Sequence, residues 1–426
     1  MLDKLKGLIF KGDNKRLFGN FLSLSVLQGT NLILPLITFP YLVRVLGVEK
    51  FGLISFALAT IAYFEILTDY GFNFSATRQV SVHRDDKARL ISIFSSVMTI
   101  KLMLFVVSLL ILTILVLSFG KFSEYALVYY FTLGRVLGHV LFPTWFFQGL
   151  EKMRMVTYLN ILSKAIFTAA IFVFVHDEGD LLMVPLLNSA GLVVAGLVAL
   201  LQIRFSFGIS FQWQSVAVLR EQLKDGWPIF ISRLFSNLSN YTNVFLLGLF
   251  TTNTIVGYYS VSAKIVEAIT SVFTPANTAL YPYMSKLFHD NVDRFYKLVK
   301  NVLGLFIGVA VTMFLGALIF GKDLITFVNG AFDAGIYTIY SILIWRILLA
   351  PFGPFLTLVF INQGRSKDYM NVMKYTMYTN LILVPPAIYF FSGIGMVIAV
   401  LIVRVLHVVY FLMLKINPQK GRLSFA

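Results

Sequence analysis

The chain has 426 residues, of which 58% are hydrophobic and only 13% are charged, and this balance excludes an ordinary soluble globular protein. It contains no cysteine, which excludes disulfides, thiolate catalysis and zinc–thiolate sites. A formal net charge of +15 would suit a nucleic-acid-binding protein, but the positions of the charges favour a membrane protein with no nucleic-acid partner.

The first 16 residues are basic and weakly amphipathic. They lack the long apolar core and the small-residue cleavage site that a signal peptide requires. We therefore expect residues 1–16 to form a cytoplasmic N-terminal segment.

Twelve apolar segments follow, each long enough to cross the ~30 Å hydrocarbon core of a bilayer. They are predicted at about 17–42, 51–76, 90–118, 124–148, 156–175, 182–203, 226–251, 255–283, 298–320, 334–362, 369–391 and 394–414. Because the number of crossings is even, both ends of the chain are expected on the same side of the membrane.

The distribution of basic residues predicts which side that is. One set of loops and tails carries 24 of the 35 Lys and Arg residues, whereas the opposite set carries four. Cytoplasmic loops are enriched in Lys and Arg, so both termini, including the tail 416–426, are predicted to be cytoplasmic. The longest loop of the basic set, residues 205–225, is amphipathic enough to lie on the cytoplasmic surface.

Three sequence matches indicate an internal duplication. They pair QGLEKMRM (Gln148–Met155) with QGRSKDYM (Gln363–Met370), Arg135 and Pro143 with Arg346 and Pro354, and FGLISFA (Phe51–Ala57) with VGYYSVS (Val256–Ser262). The predicted fold is therefore all-α and membrane-embedded, with six-helix lobes at 17–204 and 226–415 related as parallel repeats around a central cavity. Residues 205–225 would link the lobes. Such an architecture is typical of a transporter.

Charged residues lie inside the predicted spans. The cations there are Lys101, Arg135, Lys164, Arg233, Lys264, Arg346 and Arg404, and the acids are Glu65, Asp69 and Glu267. Each such residue costs roughly 3 kcal/mol on insertion scales, so these side chains should face the protein interior or a wet cavity. Lys264 and Glu267 can pair along one helix, and Glu65 and Asp69 can neutralise two further cations. The remaining positive surplus should attract anions, and Arg suits phosphate oxygens.

Enzymatic and metal chemistry have no signature in the sequence. We find no nucleophile–base pair, no phosphate-binding loop and no cluster of metal ligands. The protein is therefore predicted not to be an enzyme and to hold no metal or organic cofactor.

Three stretches carry a family resemblance: Asn20–Gly52, which contains PYLVRVLG; Tyr63–Arg84, which contains DYGF; and WFFQGLEKM (Trp145–Met153). Together they resemble the Wzx O-antigen flippases, the polysaccharide transporter branch of the superfamily that also holds multidrug and toxin (MATE) exporters and the lipid II flippase. The resemblance implies a MATE-like fold, and it extends over the whole chain.

The resemblance also implies an activity. Such proteins move undecaprenyl-diphosphate-linked O-antigen oligosaccharide across the bacterial inner membrane, from the cytoplasmic to the periplasmic leaflet, by alternating access. The O-antigen polymerase and the chain-length regulator are the protein partners that it suggests. On this interpretation Arg135 and Arg346 are quasi-equivalent diphosphate or sugar contacts. The supporting cations are Lys101, Lys164, Arg404, Arg233 and Lys264.

The acidic residues would serve coupling and gating. Glu65 is the candidate for exchanging a coupling ion, H⁺ or Na⁺, as in an antiporter. Asp69 would pair with a cation at the inner gate, for which Arg78 is the candidate, and Glu267 joins this set. The alternative is that these acids are fixed counter-ions of structural pairs.

Three other functions stay open at this point. A multidrug exporter of the same superfamily would share the fold, although cationic drugs should favour an acidic cavity. A membrane-embedded O-antigen polymerase or ligase would need a large outside loop, and the outside loops here are short. An anion channel would use the same cations but would not need the duplicated halves.

Overall fold

The computed structural model describes the backbone of residues 12–414, and the side chains within that range except at 12–33, 235–240, 278–279, 282, 354 and 366. Most of the predicted N-terminal segment and the whole predicted tail 416–426 therefore lie outside the described residues. Within 12–414 the regular structure is entirely helical, which confirms the all-α class.

Seventeen α-helices and one 3-10 helix (Glu178–Leu182) make up the described chain. The α-helices are α1 (Gly12–Asp69), α2 (Phe72–Val82), α3 (Lys87–Ser118), α4 (Gly120–Ser123), α5 (Ala126–Leu141), α6 (Thr144–Gly149), α7 (Met153–Phe174), α8 (Met183–Ser206), α9 (Val216–Phe250), α10 (Asn253–Thr270), α11 (Phe273–Asp290), α12 (Val292–Ile319), α13 (Gly321–Asn329), α14 (Ala334–Leu343), α15 (Arg346–Leu349), α16 (Phe352–Asn362) and α17 (Ser366–Met413).

Seven helical stretches in the described part of the chain are long and apolar enough to cross a membrane. Two of them, Leu34–Val82 with 49 residues and Lys367–Met413 with 47, would each extend to about 70 Å, more than twice the hydrocarbon thickness. The first is interrupted at Gly47 (φ 75°) and again at the turn Tyr70–Gly71 between α1 and α2, and the second is interrupted at Ser392 (φ 55°). The protein is therefore a multi-pass membrane protein, and the count of twelve spans stays a prediction.

The chain forms two compact units, which we describe separately. Unit 1 comprises Met1–Leu46 and Ala57–Asn237, and unit 2 comprises Gly47–Phe56 and Leu238–Ala426. The predicted lobe boundaries at 204 and 226 stay predictions. Helix α9 begins at Val216, so the second half of the predicted linker is helical and continues directly into the next apolar segment.

Close packing of α5 on α8 shapes unit 1. A Cβ added at Gly134 would lie 2.7 Å from the Ser189 Cβ, and one added at Gly138 would lie 2.5 Å from the Leu192 Cβ. Glycines four residues apart share one face of a helix and allow two membrane helices to approach closely. Arg135 and His139 each follow one of these glycines, so they lie on the adjacent face of α5.

The DYGF segment is a tight turn between α1 and α2. Tyr70 (φ 45°) and Gly71 (φ 78°) both adopt left-handed backbone torsions, and glycine is favoured at such a position because it has no Cβ. The Tyr70 ring stacks on Phe230 of α9 with centroids 4.8 Å apart, while a Cβ at Gly71 would lie 2.8 Å from the Ile229 Cγ2. The turn therefore docks on the GWPIF stretch of α9.

Two of the repeated segments pack against each other in unit 2. A Cβ added at Gly52 would overlap the carbonyl oxygen of Asn253, and one added at Gly257 would overlap the carbonyl oxygen of Val48. Val48 and Asn253 precede the two glycines by the same four residues. The contact is therefore reciprocal, as expected when two related segments cross at a local two-fold axis.

The two QG turns share a backbone structure, but their structurally equivalent residues are not the ones that the sequence match pairs. In the first turn the N–H of Lys152 donates to Phe147 O at 2.8 Å, and in the second the N–H of Arg365 donates to Phe360 O at 2.9 Å. Both are the closing hydrogen bond of a Schellman motif. The turns therefore correspond 213 residues apart, whereas the QGxxKxxM match pairs residues 215 apart, so that Glu151 (φ 55°) occupies the place of Gly364 (φ 69°).

Candidate functional site

An ion pair between α1 and α5 is the first element of the site in unit 1. Arg135 Nε donates to Glu65 Oε1 at 3.0 Å, and both side chains are more than three-quarters buried. Arg135 Nη1 also lies 3.4 Å from Asn188 Oδ1 on α8. His139 Nε2 lies 3.7 Å from the same Glu65 oxygen. The Glu65 carboxylate is therefore paired with Arg135 and also lies close to the imidazole of His139, a group that can bind a proton.

A second charged group lies one turn further along α1. Asp69 accepts a hydrogen bond from the Asn73 side chain and lies 3.6 Å from Arg233 Nη1 on α9. Lys101 is buried, donates to the carbonyl oxygen of His139 at 3.2 Å, and interacts electrostatically with Asp69. The carboxylate is therefore shared between two cations from neighbouring helices.

The predicted pairing of Asp69 with Arg78 is wrong. Arg78 Nη2 instead lies 2.8 Å from Asp225 Oδ1 on α9, and its side chain is two-thirds exposed. Next to it, Gln79 and Gln222 exchange reciprocal amide hydrogen bonds at 3.0 and 2.8 Å. The physical reason is the packing of the helices. Arg78 on α2 contacts the first part of α9, at Asp225, whereas Arg233 lies two turns further along α9 and contacts Asp69.

Unit 2 contains two neighbouring arginines, Arg346 on α15 and Arg404 on α17. They interact electrostatically with each other and with the buried Tyr259 of α10. Among the residues that the structure describes, no carboxylate oxygen lies within 4.0 Å of either guanidinium. Two adjacent positive charges of unit 2 therefore have no salt bridge to a described carboxylate, in contrast to the paired Arg135 of unit 1.

Polar groups of α16 and α17 complete the surroundings of Arg404. His407, which is buried, shares a hydrogen bond with Thr376 Oγ1 at 2.8 Å through its Nδ1. A Cβ added at Gly353 would lie 3.7 Å from His407 Nε2 and 3.9 Å from Arg404 Nη1. A methyl group at this position would therefore be in van der Waals contact with both side chains.

The remaining predicted residues are Lys264, Glu267 and Lys164, of which Glu267 interacts electrostatically with Tyr259. Lys264 Nζ and Glu267 Oε2 are 3.1 Å apart in an exposed pair along α10, which confirms the predicted i,i+3 pairing. Lys164 on α7 interacts electrostatically with Arg135 and His139, so it adds positive charge to the Arg135 group. Within the described residues, no three His, Asp or Glu side chains come together as a metal site.

Several contributors were missed by the sequence reasoning. Asn188 lies in an apolar segment where an amide is unusual, and that signal could have marked it. Thr376 and Tyr259 look like ordinary residues of apolar helices, so nothing in the sequence sets them apart. Asp225 was assigned to the linker rather than to the partner of Arg78, because the two are 147 residues apart.

Comparison with known proteins identifies the family. A model of the family described as "Polysaccharide biosynthesis protein" matches residues 17–288. The chain belongs to that family. It is 30% identical over 386 residues to a protein of Escherichia coli (strain K12) named "Putative O-antigen transporter", covering 90% of this chain and 92% of the relative. A protein of the same name from Shigella dysenteriae is 26% identical over 405 residues, covering 92% and 98%.

These relatives confirm the resemblance to O-antigen flippases. Solved structures add the fold. An inward-facing multidrug resistance MATE family transporter superposes with a TM-score of 0.66 at 13% identity, covering 96% of this chain and all of that one. The lipid II flippase MurJ, in an inward closed conformation, superposes with a TM-score of 0.65 at 13% identity, covering 93% and 88%. This member of the polysaccharide biosynthesis family therefore has a MATE-like and MurJ-like helical fold.

Proposed function

We propose that this protein is a flippase that moves undecaprenyl-diphosphate-linked O-antigen oligosaccharide from the cytoplasmic to the periplasmic leaflet of the bacterial inner membrane. Transport proceeds by alternating access of two six-helix lobes, with both termini in the cytoplasm, and no bond of the substrate is made or broken. The family membership and the names of the two relatives support the substrate class.

The single observation that carries the proposal is the pair of arginines in unit 2. Arg346 and Arg404 lie together without an acidic partner among the described residues, so their positive charge is available to a ligand. A diphosphate carries closely spaced oxygens that match the paired donors of guanidinium groups. We assign Arg346 and Arg404 to the diphosphate.

Glu65 is assigned to ion coupling. As long as its carboxylate is ionised, Arg135 is engaged by it and by Asn188. A proton or a Na⁺ on Glu65 would neutralise that countercharge and free the guanidinium for the substrate. Substrate and coupling ion would in this way act on the same arginine. Lys101 and Lys164 add positive charge to this part of unit 1, while Asp69 and Arg233 form a structural pair beside it.

A multidrug exporter would share this fold, but its substrates would not suit the charge of the arginine pair in unit 2. Cationic drugs would be repelled by two arginines that form no salt bridge with a described residue, so the unit 2 group argues against that substrate class. A polymerase or ligase would need catalytic groups, and the two relatives are named as transporters.

A deletion strain tests the proposal. The gene is deleted in its host and replaced by the wild type, Arg346→Ala, Arg404→Ala or Arg294→Ala, where Arg294 is an exposed arginine in the first turn of α12. We expect surface O-antigen from the wild type and from Arg294→Ala, and its loss in the other two variants at equal membrane levels. Normal surface O-antigen in the deletion strain itself would refute the proposed function.

A further inference from the structure

A cavity of about 520 Å³ opens at the surface of unit 1, and none of the charged residues assigned above lines it. Its floor is apolar and includes Leu90 and Ile209, both buried, together with Phe207. Its charged side chains are the three cations Arg84, Lys87 and Lys152 and one carboxylate, the fully exposed Asp85, so positive charge predominates. A cavity with an apolar floor and a basic rim suits an amphiphilic anion better than a fully polar ligand.

Two of the three cations have no acidic partner in the described structure. Arg84 lies 3.9 Å from Asp85 and 3.7 Å from Glu151, so carboxylates compensate its charge. Lys87 and Lys152, in contrast, form no salt bridge with any described residue. Lys152 Nζ instead lies 4.4 Å over the ring of Phe207, a contact that holds the ammonium at the cavity without neutralising it.

The position of the cavity indicates where its ligand comes from. Lys87 begins α3, Met153 begins α7 and Ser206 ends α8, so the ends of three apolar helices meet at the cavity. Phe205 and Trp213 nearby are 78% and 84% exposed. Large exposed aromatic side chains at the ends of membrane helices are typical of the lipid–water interface. The surrounding bilayer can therefore supply a lipid as the ligand.

The backbone beside the cavity is held in unusual torsions. Glu151 (φ 55°), the left-handed residue of the first QG turn, and Gly208 (φ 62°) both lie in the left-handed region. A Cβ added at Gly208 would lie 2.8 Å from Lys87 Nζ, so glycine leaves the space that the ammonium uses.

We propose that this cavity is a binding site for an anionic phospholipid, with Lys87 and Lys152 holding the headgroup phosphate and the apolar floor receiving the glycerol end of the acyl chains. The site is distinct from the diphosphate site assigned to Arg346 and Arg404, and it does not depend on the transported substrate. It would fix the lipid where the ends of α3, α7 and α8 meet.

Lipid retention by the purified full chain tests the site. The protein in detergent is titrated with phosphatidylglycerol, and bound lipid is counted by native mass spectrometry. About fivefold weaker binding is expected for Lys87→Gln or Lys152→Gln alone and about 30-fold for the double variant, from the usual contribution of a lysine near anionic lipid. The matched control is Arg204→Gln/Lys224→Gln, which removes the same charge from exposed positions outside the cavity.

Other ligands separate the possible sources of phosphate. Phosphatidylcholine and inorganic phosphate should not displace phosphatidylglycerol at equal concentration. Displacement by inorganic phosphate would mean that the cavity binds a free anion. Lysine-dependent binding of undecaprenyl diphosphate, without binding of phosphatidylglycerol, would mean that it binds the transported lipid. Either result overturns the proposal. Equal weakening in the control variant would do so too, because it would reflect net charge alone. Size-exclusion profiles confirm that each variant is folded.

Discussion

The Glu65–Arg135 pair makes the strongest quantitative prediction. Arg135→Gln leaves the Glu65 carboxylate without its arginine in an environment where its side chain is only 22% exposed. Removal of one partner of a buried ion pair costs about 3–5 kcal/mol, and the partial exposure and the nearby His139 place this pair at the lower end, about 3 kcal/mol. For a protein larger than 250 residues this corresponds to a fall in the melting temperature on the order of 5 °C.

The double variant Glu65→Gln/Arg135→Gln should recover much of that loss. Both charges are then absent, and the two amides can form a hydrogen bond across the same gap. We therefore expect a coupling free energy of at least about 1.5 kcal/mol between the two positions. Melting of the detergent-purified protein, followed by fluorescence-detected size exclusion, measures the wild type, both single variants and the double variant.

The pair Lys264–Glu267 is the matched control for this cycle. Its side chains are 48% and 63% exposed, and pairs of that kind contribute about 0–1 kcal/mol. Lys264→Gln, Glu267→Gln and their combination should shift the melting temperature little. Additive losses at Glu65 and Arg135, or single variants as stable as the wild type, would refute the buried pairing.

Two further predictions concern packing and the α2–α9 contact. Gly52→Leu or Gly257→Leu should abolish the folded fraction on size exclusion, because each new side chain overlaps the backbone of the opposite segment. The control Gly304→Leu, where nothing lies within 4 Å of an added Cβ, should leave the folded fraction unchanged. An equal loss in the control would contradict the contact. Arg78→Gln should cost less than about 1 kcal/mol, because the Arg78 side chain is 67% exposed and exposed ion pairs contribute little. A fall in melting temperature as large as that of Arg135→Gln would show that the pair is more than a surface contact.

The apolar segments were the part of the fold that the sequence could predict. The span predicted at 90–118 corresponds to α3 (Lys87–Ser118), and that at 182–203 corresponds to α8 (Met183–Ser206). A bilayer demands a long apolar run for every crossing, so hydropathy alone locates such helices. The pair Lys264–Glu267 was equally accessible, since it depends only on helical spacing.

Contacts between distant residues could not be predicted in the same way. Glu65 and Asp69 were expected to neutralise cations from neighbouring spans, and both do so. The choice of Arg135 and Arg233, rather than Arg78, depends on how the helices pack. The left-handed residues Tyr70 and Ser392 carry no sequence signal either, because glycine is the residue usually found there. The sequence match and the structural correspondence of the two QG turns differ by two residues, which shows that matching residue types do not determine which positions are structurally equivalent.

The central claim is that the protein itself moves a diphosphate-linked oligosaccharide across the bilayer by using Arg346 and Arg404. The direct measurement uses purified protein in liposomes that carry an undecaprenyl-diphosphate-linked oligosaccharide, with an external lectin or glycosidase reporting the fraction that becomes accessible from the opposite side. We expect accessibility to rise with the wild type and with Arg294→Ala, and to stay at the level of protein-free liposomes with Arg346→Ala/Arg404→Ala. Wild-type liposomes that expose no more oligosaccharide than protein-free ones, or a double variant as active as the wild type, would contradict the account.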